Sequence, residues 1–138
     1  MPNDDTMFLK TKVDVLTYFN EEQLRKITPD IEHKNYANGE VVILKGEVTS
    51  GFYIVKKGSV KVIMKPKGAP EIVRELPTGG FFGEISLLED TAATESVKAS
   101  ADDTEIITIP HDSFQKLIQM MPVIKKALLD KVAASKKA

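Results

Sequence analysis

From Asn35 to Ile109 the chain is cut into short stretches of strand-forming residues by glycine-rich corners at near-even spacing, a pattern that few architectures accept. Tyr36-Ala37-Asn38-Gly39-Glu40 reads as a turn feeding Val41-Val42-Ile43-Leu44, and Gly46 marks the next corner before Phe52 to Val55. Val60, Val62 and Met64 alternate with Lys61, Ile63 and Lys65, as one face of a strand alternates with the other. Pro66-Lys67-Gly68-Ala69-Pro70 then forms a hairpin loop into Glu71 to Leu76. Farther on, Ser96 to Ala101 and Thr104 to Ile109 flank a turn at Asp102-Asp103. Short strands with such corners predict an antiparallel β-roll, jelly roll or barrel, with helices confined to the ends of the chain.

Those ends carry the helical period. Phe8, Leu9, Val13, Leu16 and Phe19 recur at helix-like intervals, and Asn20 with Gln23 makes a capping box for a helix bearing Leu24 and Ile27. Thr28-Pro29-Asp30 stops it, because proline disfavours helical geometry in the residue before it. The stripe suits core packing at one end of a sheet, or a surface for a partner. At the other end, Asp112 or Ser113 is placed to cap a helix carrying Phe114, Leu117, Ile118 and Met121, and Pro122 to open a last helix. Ile124, Ala127, Leu128 and Val132 form the stripe of that helix, with Lys125, Lys126 and Lys131 outside it. The expected layout is one domain over 1–138, with helices over about 7–28, a roll over about 35–110 and C-terminal helices over about 112–135.

Charge and composition remove several function classes. A net charge of −1 leaves no footprint for nucleic acid, and no DNA-reading helix pair follows the last helix, so sequence-specific DNA binding is not expected. No apolar run reaches membrane-spanning length, and Met1-Pro2-Asn3-Asp4-Asp5 is unlike a signal peptide; the expected location is cytoplasmic and the expected membrane partner is none. The chain has no cysteine, which excludes disulfides and thiolate chemistry. His33 and His111 stand far apart and outside any ligand-spaced cluster, so neither a metal site nor a catalytic residue is expected, and the chain is not read as an enzyme.

The functional stretch is Gly79 to Ala99, GGFFGEISLLEDTAATESVKA. Phe81 and Phe82 lead into Gly83, after which Glu84-Ile85-Ser86-Leu87-Leu88 has the residues of one short helical turn. Gly83 lets backbone approach a ligand closely, and amides opening a helix can hold an anion; an ordinary tight connection between two strands would use the same residues. Taken with Leu44-Lys45-Gly46-Glu47 and Gly51 to Val62, the spacing of Gly46, Gly58 and Phe82-Gly83-Glu84 resembles the cyclic nucleotide-binding domain family. That family is the β-roll module of catabolite-activator regulators, kinase regulatory subunits and gated channels, and the likeness runs from about Val15 to Val132. The resemblance implies that Glu84 receives a ribose hydroxyl and that the residue meeting the cyclic phosphate, an arginine in the family, falls on Ala93.

An alanine offers no fork of charged donors to a phosphate. Truncating one partner of a buried charged pair costs about 2 to 5 kcal/mol, or tens to thousands of fold in affinity. Glu84, Glu89, Asp90 and Glu95 surround the position against Lys98 alone, a field that discourages an anion. Arg74 is one cation able to compensate: Ile72, Arg74 and Leu76 share a strand face that looks inward, toward the end of the pocket that in the family receives the base. A rim position paired with Glu75 or another carboxylate is the alternative.

The expected ligand-binding set is therefore Phe82, Gly83, Glu84, Ile85, Ser86, Ala93, Thr94, Glu95, Ser96 and Arg74. Its ligand would be a cyclic nucleotide such as cAMP or cGMP, or another small anion, with no separate cofactor. Backbone amides of Gly83 to Ile85, with Thr94 and the Glu95 amide, would have to hold any phosphate. Two functions stay open: a regulatory sensor with weakened or altered cyclic nucleotide affinity, and a degenerate interaction or dimerisation module that uses the C-terminal helix to meet a second copy or a regulatory partner.

Overall fold

Phe52, Ile54 and Val55 are fully buried, as are Ile106, Ile107 and Ile109, so these two strands are apolar on both faces. A sheet tolerates that only where something covers each face. The computed structural model describes residues 5–48, 51–65, 67–83, 93, 95–127 and 130. Among them the strands are β1 Glu32–Tyr36, β2 Val41–Ile43, β3 Gly51–Lys57, β4 Val60–Met64, β5 Ile72–Leu76, β6 Phe81–Phe82, β7 Ser96–Ala99 and β8 Thr104–Pro110. They form two antiparallel four-stranded sheets, ordered β1-β8-β3-β6 and β2-β7-β4-β5. This is the expected β-roll.

The first sheet is the middle layer. On one face Phe52, Ile54, Ile107 and Ile109 pack under Leu9, Val13, Leu16, Phe19, Leu24, Ile27, Phe114, Leu117 and Ile124. On the other, Tyr36, Val55, Phe82 and Ile106 meet Ile43, Val60, Val62, Val97 and Ala99 of the second sheet. The helical layer comprises α1 Thr6–Lys12, a 3-10 turn Asp14–Tyr18, α2 Glu21–Arg25, a second 3-10 turn Thr28–Asp30 and α3 His111–Met120. Its N-terminal apolar stripe is thus core. The capping box forms, with Gln23 N donating to Asn20 Oδ1 at 2.8 Å and Asn20 N donating to Gln23 Oε1 at 3.0 Å.

Three boundaries differ from expectation. The first sheet begins at Glu32, because β1 is held by its backbone ladder to β8 and exposes Glu32 to Asn35, leaving no apolar alternation to read. β7 ends at Ala99, where the chain leaves the second sheet to join the first through the turn at Asp102-Asp103. α3 starts at His111 without a side-chain cap, since β8 runs directly into it at Pro110, and the buried Ser113 hydroxyl instead lies 3.1 Å from Asp30 Oδ2. Residues 123–127 are helical again, and Ile124 is buried in the core beneath the helices, while Leu128 lies outside the described residues.

A charged cluster fastens the N-terminal segment to the helix-covered face. Asp5 is 1 % exposed, and its carboxylate meets Lys56 Nζ of β3 and, at 2.9 Å, His33 Nε2 of β1. His33 Nδ1 lies 2.8 Å from Glu105 Oε2 of β8. His33 is therefore a bridge between two carboxylates rather than a solvated ring. Asp5→Ala should cost about 1.5 kcal/mol, the low end for a charge-assisted contact, because its partners remain partly exposed. An unchanged urea midpoint would show that the cluster is only a surface arrangement.

Candidate functional site

The intersheet space is walled on one side by the inward row of β3. Because Phe52 and Ile54 point at the helices, Tyr53 and Val55 point at the second sheet. Tyr53 stacks on Phe82 of β6, its cross-strand partner, with ring centroids 5.3 Å apart. Immediately after β6, Gly83 has φ +85°, and a Cβ there would lie 2.7 Å from Tyr53 Cδ1. Gly83 is thus required twice, by its left-handed backbone and by the ring beneath it.

Ala93 is held from behind. Its carbonyl accepts from Gly46 N and its own N–H donates to Glu47 O, both at 2.8 Å. The 44–47 turn is itself tied, with Leu44 N donating to a Glu47 carboxylate oxygen and Lys45 N donating to Ser96 Oγ at 3.1 Å. Gly46 makes this turn with φ +96°, which accounts for its place in the sequence pattern. The Ala93 side chain packs against the intersheet core.

Register fixes the rest. Val62 of β4 stands opposite both Arg74 of β5 and Val97 of β7, and Val62 and Val97 are buried, so Arg74 lies in the intersheet row. From there its Nη2 meets Glu95 Oε2 at 3.5 Å, with the Arg74 side chain 44 % and that of Glu95 17 % exposed. Arg74 is thus on the inward-facing row and paired, with Glu95 rather than Glu75, which stands opposite Lys61 on the outer row. Ser96 stands opposite Ile63 on that outer row, where its hydroxyl serves the Lys45 amide.

Phe82, Gly83, Ala93, Glu95 and Arg74 are thus brought to the intersheet side, Ser96 lies behind them, and Glu84, Ile85, Ser86 and Thr94 lie outside the described residues. Sequence reasoning missed Tyr53, although its alternation with Phe52 and Ile54 carried the signal. Tyr36, 8 % exposed at the edge of the intersheet space, has its hydroxyl held above the ordinary tyrosine range by burial first, and then by Tyr53, Glu40 and Glu47. A raised folded-state value means that neutral Tyr36 contributes stability in full below about pH 10, lost as the pH rises through the folded value. Stability should therefore fall above about pH 10, and less steeply in Tyr36→Phe; equal slopes in urea melts of the two proteins would exclude Tyr36 as the cause.

Residues 33–120 match the model of the cyclic nucleotide-binding domain. The chain belongs to the cyclic nucleotide-binding domain family. It is 32 % identical over 123 residues to the cGMP-dependent protein kinase egl-4 of Caenorhabditis elegans, covering 88 % of this chain and 16 % of that kinase. With cGMP-dependent protein kinase 2 of Homo sapiens it shares 30 % over 128 residues, 91 % of this chain and 17 % of the kinase. The domain therefore spans only a small fraction of these relatives. A structure of the regulatory domain of Toxoplasma gondii PKA with cAMP has the same fold, with TM-score 0.81, 23 % identity and coverage of 94 % of this chain and 48 % of that one. Among the described residues, no cluster of histidine and carboxylates could hold a metal ion, and no helix is long and apolar enough to cross a membrane.

Proposed function

We propose that this domain is a non-catalytic regulatory module that senses a small ligand in the intersheet pocket, with affinity for cyclic nucleotides weakened by Ala93. The observation that carries this reading is the state of that position. Ala93 is held by two backbone hydrogen bonds in a framework of family type, and in this reading its methyl group takes the place of the cation that a phosphate would need. Glu84 takes the sugar hydroxyl in this reading. The domain acts in the cytoplasm, and its C-terminal helix transmits occupancy to a second copy or a regulatory partner.

Arg74 supports a choice between bases. The family's base lies toward this strand, and a guanidinium matches the N7 and O6 acceptors of guanine, whereas adenine offers a donor at the second position. Cyclic GMP should bind better than cyclic AMP by about 1 kcal/mol, roughly fivefold, a modest margin because Arg74 is partly solvated and already paired with Glu95. Arg74→Gln should erase the margin. Calorimetry with both nucleotides reads it directly, and a thermal-shift screen precedes it, since a ligand at a hundred times its dissociation constant stabilises by about 2.7 kcal/mol.

The Arg74–Glu95 pair also favours a second reading, in which the pocket satisfies its own charges and the domain serves as an interaction module. That reading predicts no stabilisation by any cyclic mononucleotide, nucleoside or small anion in the same screen.

A further inference from the structure

We infer that the outer face of the second sheet docks an acidic segment of a partner protein, an extended stretch with carboxylates at two places and an apolar side chain between them. This face lies on the far side of β4 and β7 from the intersheet space, so it operates whether or not a ligand fills that space. It is open. Lys61 and Lys98 alternate with the buried row of Val60, Val62, Val97 and Ala99, and both are exposed. Beside them, Val41 is 43 % and Val73 50 % exposed.

Charge on this face is segregated into two clusters. Lys61 stands directly opposite Lys98, whose other cross-strand neighbour is Val41, so Lys98 has no carboxylate across from it on either side. Like charges so placed destabilise a sheet, and among the described residues neither lysine has an ion pair to offset them. Farther along the same strands, Lys45, Lys65 and Lys67 line a groove of about 720 Å³ with Gly68, Ala69 and Pro70, and no described carboxylate lines it. Glu40 and Glu47, close in sequence, are turned to the amides of Ala37 and Leu44. Only Glu75 of β5 and Glu71 just before it oppose these five lysines, on a chain whose net charge is −1.

Between the clusters the surface is apolar. Ile63 stands opposite Val73 on one side and Ser96 on the other, and the Ser96 hydroxyl is taken by the Lys45 amide. From Lys61 to Lys65 an extended chain advances about 13 Å, at roughly 3.3 Å per residue. An extended peptide also repeats its faces every second residue, so carboxylates four residues apart with an apolar residue midway match Lys61, Ile63 and Lys65 one for one. A nucleic acid carries charge without interruption; it would press phosphates on Ile63 and Val73 and meet Glu71 and Glu75. A bilayer surface is too broad to enter the groove. Complementary charge with a repulsive edge selects the acidic peptide among these anions.

The test is fluorescence anisotropy of the labelled peptide Glu-Glu-Thr-Val-Thr-Glu-Glu with the whole chain, against the reordered Glu-Glu-Glu-Glu-Thr-Val-Thr, duplex DNA and phosphatidylserine vesicles. The first peptide should bind at least about tenfold more tightly than the reordered one. Lys61→Glu with Lys98→Glu, and separately Lys65→Glu with Lys67→Glu, should each weaken it at least about tenfold. Lys98→Glu alone puts a carboxylate opposite Lys61, so it should raise the urea midpoint while weakening the peptide, which separates lost binding from lost folding. Equal affinity for the two peptides, no binding of the first, or unchanged affinity in both charge-reversed proteins would overturn the inference. Tighter binding to the duplex or the vesicles would overturn it in favour of those surfaces, and self-association abolished by the same reversals would give the face to a second copy. None of these results bears on the intersheet pocket, which the nucleotide titrations test separately.

Discussion

Ala93→Arg should raise the affinity for cyclic GMP or cyclic AMP at least about tenfold, because a charge-assisted contact contributes roughly 1.5 to 3 kcal/mol. The backbone at this position is already fixed by Gly46 and Glu47, so the new side chain starts from an ordered root and loses less freedom on binding. Two effects pull against the gain. Glu95, two residues on, can capture part of the new charge, and Ala93 now packs on the intersheet core, from which a longer side chain must turn outward. Glu84→Ala placed on top should remove much of what was gained, through loss of the sugar contact. Calorimetry on the unmodified protein, the two single variants and the double variant decides it. Tight binding by the unmodified chain would mean that Arg74 or backbone amides suffice, and no gain from the arginine would mean a closed or reshaped pocket.

The fold was legible where one face of an element is apolar and the other is not. Val60, Val62 and Met64 alternate with Lys61, Ile63 and Lys65, and β4 follows them in register with β5 across the hairpin loop. The Asn20 and Gln23 capping box was equally readable, since it depends on side chains three residues apart and on nothing distant. β1 was missed because Glu32-His33-Lys34-Asn35 has no period; its strand geometry is imposed by hydrogen bonding to β8, some seventy residues away. The Asp5, His33, Lys56 and Glu105 cluster was illegible for the same reason, being assembled from four separate segments.

The site divides along the same line. Gly46 and Gly83 announce themselves because both take positive φ, whereas the part given to Ala93 came only from the resemblance to a family. What spacing could not supply was the pairing of Arg74. Alternation gave its face, but the partner depends on which strand lies two places across the sheet, and β7 comes twenty residues later in the chain. Ser96 shows the converse. Its neighbour Glu95 serves the pocket side, so strand geometry sends the Ser96 hydroxyl to the other face, where the Lys45 amide takes it.

Ile124→Ala should cost about 2 to 5 kcal/mol, the range for deleting most of a buried aliphatic side chain together with the cavity left behind. Ile124 is 1 % exposed and belongs to the core of Leu9, Phe19, Phe114 and Leu117, and its N–H donates to Met121 O at 3.0 Å, so the segment after Pro122 is anchored by packing and by its own turn. The preceding helical residue, Val123, is 58 % exposed, so the helix is docked by one face. The loss has a route toward the pocket. Phe114 stacks on Phe52 with centroids 5.0 Å apart, and the residue after Phe52 is Tyr53, whose ring lies under Gly83. Urea unfolding should show the midpoint falling with little change in slope, the sign of lost stability rather than altered cooperativity. If the midpoint and the association state both stay where they were, the segment from 123 does not dock onto the roll, and it cannot report to a partner whether the intersheet pocket is filled.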